Sequence, residues 1–419
     1  MPVIALAFKS LWNRRTTAAL TITAIAISVT LLLGVQQLRT AAREGFASTI
    51  SGADLIVGAR SGPINLLLYS IFRIGDATAN VTWQSYQKIA KHPDVAWAIP
   101  ISLGDSHQGF RVMGTTLDYF AHYRFAGDRQ LKFAVGSAWT DLYDTVLGAD
   151  VASQLHYRVG DAIVLAHGIG NVSFANHKDK PFRVAGILQR TGTPVDRTVH
   201  VSLEAITAIH LDWQTGAQAP VGSRISADAA RKDLTPDSIT AFILGMKSKV
   251  TVFLMQRAIN EYTEEPLLAI IPGVALQQLW SLVGVADSAL LLIAACVVLA
   301  GLLGMLTAIL TSLEERRREM AILRSVGARP QHIFLLLIFE AGFLALSGVL
   351  LGTVLSFGLL IGAQRFVIDH FGIVLMVTSL RPTELEILAG IVLAALAMGA
   401  IPAWRGYRNS LADGLTIRL

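Results

Sequence analysis

"TSLEERRREMAILRSVGARPQHIFLLLIFEAG" (Thr311–Gly342) decides how this chain is read. An uncharged run of 26 residues, Ser288 to Leu313, stops at six consecutive charges, Glu314 to Glu319, and an apolar run resumes at Ile333. About 20 apolar residues in a helix cross a hydrocarbon core. The charges therefore stand between two membrane spans. Working outward, Thr16–Leu38 has no charge in 23 residues, Ile387–Trp404 has none in 18, and Ile333–Gln364 carries only Glu340 in 32. The composition agrees: of 419 residues 53% are hydrophobic and 16% charged, with mean hydropathy +0.52. Soluble domains carry about 25% charge. The sequence specifies an α-helical membrane protein with four transmembrane helices.

Charge distribution orients the spans. The segments before the first span, between the second and third, and after the fourth hold eleven basic and four acidic residues, whereas Arg39 to Asp287 holds 22 of each. Basic loops stay cytoplasmic, so the long segment is outside. The net charge of +5 reports topology, and no nucleic-acid partner is implied. Trp12, Trp280 and Trp404 fall near span ends, where indoles favour the interface. Ala24-Ile25-Ala26 resembles a small-residue cleavage site, but the apolar run continues past it to Leu38, which favours a retained span. The single cysteine, Cys296, lies in the second span, so the external segment has no disulfide.

The external segment reads as α+β. Strand-like runs recur at Trp97–Leu103, Phe110–Thr115, Ala162–Ala166, Phe182–Leu188 and Thr198–Leu203, with helices around Trp83–Lys91, Leu203–His210 and Lys249–Glu261. "VGDAIVLAHGIGNVSFANHKDKPFRVAGIL" (159–188) predicts a hairpin with its turn around Gly168–Asn171. "GARSGPINLLLYSIFRIG" (58–75) concentrates Leu66, Leu67, Leu68, Tyr69, Ile71 and Phe72 in a patch too short to span. Two readings stand: a core helix, or an interfacial element or gate for an amphiphilic substrate.

Sequence motifs of catalysis are missing. There is no GxxxxGK[ST], HExxH, CxxC or GxSxG. Eight of ten histidines are external, and His167 and His177 flank the predicted turn with Asp179 nearby. None of their spacings is a ligand signature. Solvated or hydrogen-bonded histidines without a metal are therefore the first expectation, and a metal site at His167 and His177 is the alternative reading. Glu340 is costly facing lipid; it can snorkel to the cytoplasmic boundary or meet an arginine of the 316–318 run, and a moving interhelical contact is the alternative role.

The charged run itself extends the second span with no helix breaker, and helix-forming residues continue to Val326. Gly327 suits a helix C′ position and Pro330 follows. Ile322, Leu323 and Val326 share one side of this short helix. An apolar face exposed to cytosol calls for a partner.

"ERRREMAILRSVGARPQHIF" (315–334) resembles the segment after the second span in MacB/FtsX-type ABC permeases, the mechanotransmission or type VII class. Glu315, Arg316, Arg317, Arg318, Glu319, Ile322, Leu323, Arg324, Gly327 and Ala328 match that family's pattern. Pro402, Ala403 and Arg405 followed by "SLADGL" resemble its C-terminus, "LAFKSLWNRRTTAAL" its amphipathic lead-in helix, and "GDAIVL" and "PFRVAGIL" its external strands. The stretch at 52–75 departs from the best-known members.

The resemblance implies a large α+β extracytoplasmic domain inserted between the first and second spans. The expected division is 1–15 lead-in helix, 16–38 first span, 39–283 periplasmic domain, 284–313 second span and 314–332 coupling segment. Residues 333–364 form the third span, 365–384 a periplasmic loop, 385–404 the fourth span and 405–419 a cytoplasmic tail. It further implies a permease subunit without catalytic residues, paired with a second copy as a homodimer. A separate cytoplasmic ATPase dimer would use ATP and Mg²⁺, with no cofactor bound by this chain. The short helix, Val326 included, would dock on that ATPase. The implied location is a bacterial inner membrane. Candidate substrates are a lipoprotein, a peptide or a hydrophobic compound, with a periplasmic or outer-membrane partner left open. Alternatives from the same reading are a non-transporting regulator of a periplasmic partner and a metal-linked envelope system.

Overall fold

The computed structural model describes residues 12, 14–168, 177, 179–213, 234–371 and 380–408. They divide into a helical unit, built from both ends of the chain and Gly284–Phe366, and an external unit centred on Ala42–Val283.

Four long helices are Arg15–Thr49, Pro272–Glu315, Pro330–Phe371 and Pro382–Arg408, each long and apolar enough to cross a membrane. Hydrophobic gain does not drive helices together in lipid, so small residues and internal polar contacts must do it. Gly348 and Gly352 of the third helix lie against the first. A Cβ at Gly352 would meet the Ala26 carbonyl at 2.6 Å, and one at Gly348 would meet Ile25 at 2.6 Å. Ser28 Oγ donates to the Val297 carbonyl (3.1 Å) and Thr30 Oγ1 to the Gly352 carbonyl (3.0 Å), so the first helix is tied to the second and third. Ile25, Val29, Met305, Leu337, Ala341 and Ala395 fill the core between them.

Among the described residues, the external unit is built on an eleven-stranded sheet. Its main strands are β1 (Leu55–Ala59), β2 (Val95–His107), β3 (Phe110–Thr115), β4 (Phe133–Gly136), β5 (Asp144–Leu147), β6 (Phe182–Leu188), β7 (Thr198–Ser202), β8 (Ala241–Met246) and β9 (Leu267–Ile270). They run in the order β9-β1-β8-β2-β3-β7-β5-β6-β4. Pairing is antiparallel except β3 with β7 and β5 with β6. Alternate residues of a strand face opposite sides, and the sheet uses both. Leu55, Val57, Phe242 and Leu244 join one core, while Ile56, Ile99, Ile101 and Ile243 join another. A third packs Val112, Phe182, Val184, Val199 and Val201 under the helix Leu203–His210.

The predicted hairpin is corrected in part. Phe182 and Arg183 do pair antiparallel with Ile163 and Ala162, but Ala166–His167 leaves for β2, where His167 faces Asp105. The backbone there has a second strand within reach, and the bulge in β2 between Leu103 and Ser106 admits it. The predicted turn residues Ile169 to Asn171 lie outside the described residues. The third helix also runs past Gln364 to Phe371, so the start of the predicted 365–384 loop is helical.

Candidate functional site

The charged run does not continue the second long helix. That helix ends at Glu315, Arg316 departs from helical angles (φ −94°, ψ 11°), and a separate helix spans Arg317–Ser325. Hydrogen bonds bridge the break, from Arg316 N–H to the Ser312 carbonyl (3.1 Å) and from Met320 N–H to the Arg316 carbonyl (3.0 Å). No glycine or proline marks the place. The cause lies in the Arg316 side chain, which is drawn inside at 5% exposure, with Nη1 3.3 Å from Glu340 and Nε 3.2 Å from Glu319. A charge taken out of water needs a partner, and Glu340, equally buried, is placed to be it.

The short helix stops where the chain favours stopping. Val326 caps it, and Gly327 takes φ +106° while its N–H donates to the Arg324 carbonyl (3.1 Å). A side chain would strain that left-handed position. Pro330 then opens the third long helix, at the position where a missing N–H costs nothing. Ile322 and Val326, four residues apart on one helical face, are 58% and 83% exposed, whereas Met320 and Ala321 are buried. Glu315 pairs with Arg14 at 2.8 Å. The side chains of Arg317, Arg318 and Leu323 lie outside the described residues. The result is a helix whose start is pinned by one buried ion pair and one more exposed one, showing an apolar pair outward.

The apolar patch at 63–72 packs inside the external unit. Pro63–Leu67 is a helical turn, Leu68–Phe72 widens to π geometry, and Arg73 ends it with φ +60°. Leu66, Leu67, Tyr69 and Phe72 are buried and Leu68 half-buried, the arrangement of a core helix. Gly58 of β1 makes room, since a Cβ there would meet Tyr69 Oη at 2.5 Å and Leu66 Cδ1 at 2.6 Å. Burial pushes the Tyr69 phenol up to about 12. Phe72 also walls a cleft of about 480 Å³ that sequence reasoning did not anticipate, together with Phe46, Phe110, Arg73, Arg111 and Arg197. Arg197 lies over the Phe110 ring at 5.3 Å, and Arg111 pairs with Asp76 at 3.0 Å. Burial holds the Arg73 guanidinium below its ordinary pKa. Aromatic walls with guanidinium groups suit a ligand that is apolar along its length and anionic at one end.

The histidines divide. His200 is fully buried in β7, its Nδ1 donating to the Val146 carbonyl (3.2 Å) beside the Tyr119 and Phe120 rings. Burial, with the Arg73 charge, pushes it down to about 3. His167 and His177 come together, with Asp105 and His210 as companions in place of the exposed Asp179. Sequence spacing could not show this grouping, because the strand pairing and the end of Leu203–His210 create it.

Comparison with known proteins places these features. The model of the FtsX-like permease C-terminal region matches residues 291–411, and that of the MacB-like periplasmic core domain matches 18–261. The second match alone covers more than half of the chain. The chain belongs to the FtsX/MacB-type family of ABC transporter permeases. An ABC transporter permease of Methanocaldococcus jannaschii is 25% identical over 272 residues, 64% of this chain and 60% of that relative. The chain thus aligns with about three fifths of the relative's length. The periplasmic region of MacB from Actinobacillus actinomycetemcomitans shares 11% identity with TM-score 0.35, covering 55% of this chain and 94% of that one. The extracellular domain of the noncanonic ABC-type transporter YknZ from Gram-positive bacteria gives 11% and 0.30, covering 52% and 98%. The permease is a multi-pass membrane protein whose MacB-like α+β domain lies outside the cytoplasm, between the first and second long helices.

Proposed function

We propose that this permease is driven by a separate cytoplasmic ATPase that docks on Arg317–Ser325. The observation that carries the reading is the exposed pair Ile322 and Val326 on a helix pinned by Arg316–Glu340 and Glu315–Arg14. An apolar pair in water gains when a partner covers it, and a pinned helix transmits a push instead of absorbing it. Two permease copies would pair with two ATPase copies, ATP and Mg²⁺ being used on the ATPase. Closure of the ATPase dimer would move this helix, and the 44 uninterrupted residues of Pro272–Glu315 would carry the motion to the external unit.

The substrate class follows from the cleft walled by Phe72, Phe110 and three arginines: an amphiphilic envelope compound with an anionic end, such as a lipidated peptide. Supporting the transport reading over a pure relay is the cleft itself, which a relay does not need. A bacterial inner membrane with the external unit in the periplasm is the setting in which such compounds are met.

The test replaces Ile322 and Val326 together by Glu. The ATPase is expected to be lost on copurification, while membrane insertion and the melting temperature of the permease stay unchanged. Unchanged copurification and ATPase rate would refute the docking role.

A further inference from the structure

We propose that Asp105, His167, His177 and His210 form a binding site for one divalent transition-metal ion of zinc-type chemistry in the external unit. One ligand atom from each residue lies within 4.8 Å of all the others. His210 Nε2 is 3.0 Å from His167 Nδ1, and Asp105 Oδ1 is 3.2 Å from the latter and 3.4 Å from the former. Ligands bound at 2.0–2.1 Å around a tetrahedral ion stand roughly 3.3 Å apart. Three edges of the cluster already have that length.

The hydrogen-bond geometry argues for a cation at the centre. His210 Nδ1 lies 2.7 Å from the Ile206 carbonyl and must donate to it, so Nε2 is the ring nitrogen that faces the cluster. Fixing the tautomer through the other ring nitrogen is how proteins orient metal-ligating histidines. A proton on His167 Nδ1 then serves either His210 or the buried carboxylate of Asp105, and not both. An ion satisfies all the electron pairs at once.

Three of the four ligands sit on strands or a helix, as a specific site requires. His167 and Asp105 are direct cross-strand partners, His210 is the last residue of its helix, and His177 N–H donates to the Leu165 carbonyl at 2.9 Å. Lys180 is already paired with buried Asp212 at 2.7 Å and donates to the Ala208 carbonyl at 3.0 Å. Exposed His167, with Asp105 and His210, borders a cleft of about 340 Å³ that also holds Asp237, so an ion can enter from solvent. Three imidazoles and one carboxylate favour Zn²⁺ or its neighbours over Mg²⁺ and Ca²⁺, which take oxygen ligands.

The full-length permease, stripped with chelator and dialysed against Zn²⁺, is expected to retain about one ion per chain. Co²⁺ in its place should give the intense visible absorption of a tetrahedral site. His167→Gln and His210→Gln should each weaken binding by roughly 100-fold or more, and His92→Gln, outside the cluster, should not. Zn²⁺ should raise the melting temperature of the wild type and not of the variants, and the metal-free variants should melt with metal-free wild type. No retained ion, or equal retention by both variants, would overturn the proposal and leave the cluster as a proton-sharing hydrogen-bond network.

Discussion

The external unit and the helical unit solve the same packing problem with different means. In the external unit, strands such as β1 and β8 present apolar side chains to both faces, and buried charges are tied into networks. Asp54 is paired with Lys249 and accepts from Met246 N–H, and Asp144 binds Arg183 and two backbone amides. In the helical unit, close approach at glycine and a few hydroxyl-to-carbonyl bonds hold the helices together, and a buried ion pair occurs where the helix Arg317–Ser325 begins. Water drives the first arrangement by expelling apolar surface, and lipid offers no such drive to the second. Contact precision is therefore concentrated at few positions in the helices and spread over many in the sheet.

The largest effect that would break this comparison is at Arg316. Glu340→Ala leaves the buried guanidinium with only the exposed Glu319 as its partner, and about 3 kcal/mol of stability should be lost, read as thermal melting in detergent. Glu315→Gln, which removes only the more exposed pair with Arg14, should cost under about 1 kcal/mol. Similar losses from both would mean that the helical unit does not concentrate its contacts at the Arg316 turn.

Next come the glycines. Gly352→Ala drives a Cβ into the Ala26 backbone carbonyl, which cannot swing aside, while Gly58→Ala meets the tips of Tyr69 and Leu66, which can. The helical substitution should cost about 1–3 kcal/mol and the sheet substitution less, measured by protease resistance of each unit in the intact protein. The reverse order would contradict the contrast drawn above.

The smallest expected effect sharpens the sheet side. His200 is pushed down to about 3 in the fold, against about 6.5 in an unfolded chain. The unfolded state therefore binds the proton first, and stability is complete above about pH 6.5 and falls as pH drops toward 3. Between pH 7.5 and 5.5 the loss should be about 1 kcal/mol, and His200→Gln should remove that part of the pH dependence. An unchanged profile in the variant would assign the acid sensitivity to other groups.

How much of this was legible in sequence depended on what each residue had to satisfy locally. The spans could be read because lipid tolerates no charge, and Phe110–Thr115, Phe182–Leu188 and Leu203–His210 because their patterns and boundaries are local. Strands β1 ("LIVGA") and β8 ("AFILGM") carry no alternation, being buried on both faces, and so left no strand signal. The break at Arg316 was invisible because its cause is Glu340, on another helix. Likewise Asp105 and His210 join His167 only through strand register and helix position, which spacing along the chain does not encode.

The central claim, that this permease is driven through Arg317–Ser325 by an ATPase on another chain, is tested most directly by affinity purification from its native membrane in mild detergent with mass spectrometry of what accompanies it. A P-loop ATPase in stoichiometric amount, lost when Ile322 and Val326 are changed to Glu, is the predicted result. Reproducible absence of any ATPase from an intact, folded sample would contradict it and leave Glu314–Glu319 as a topology signal alone.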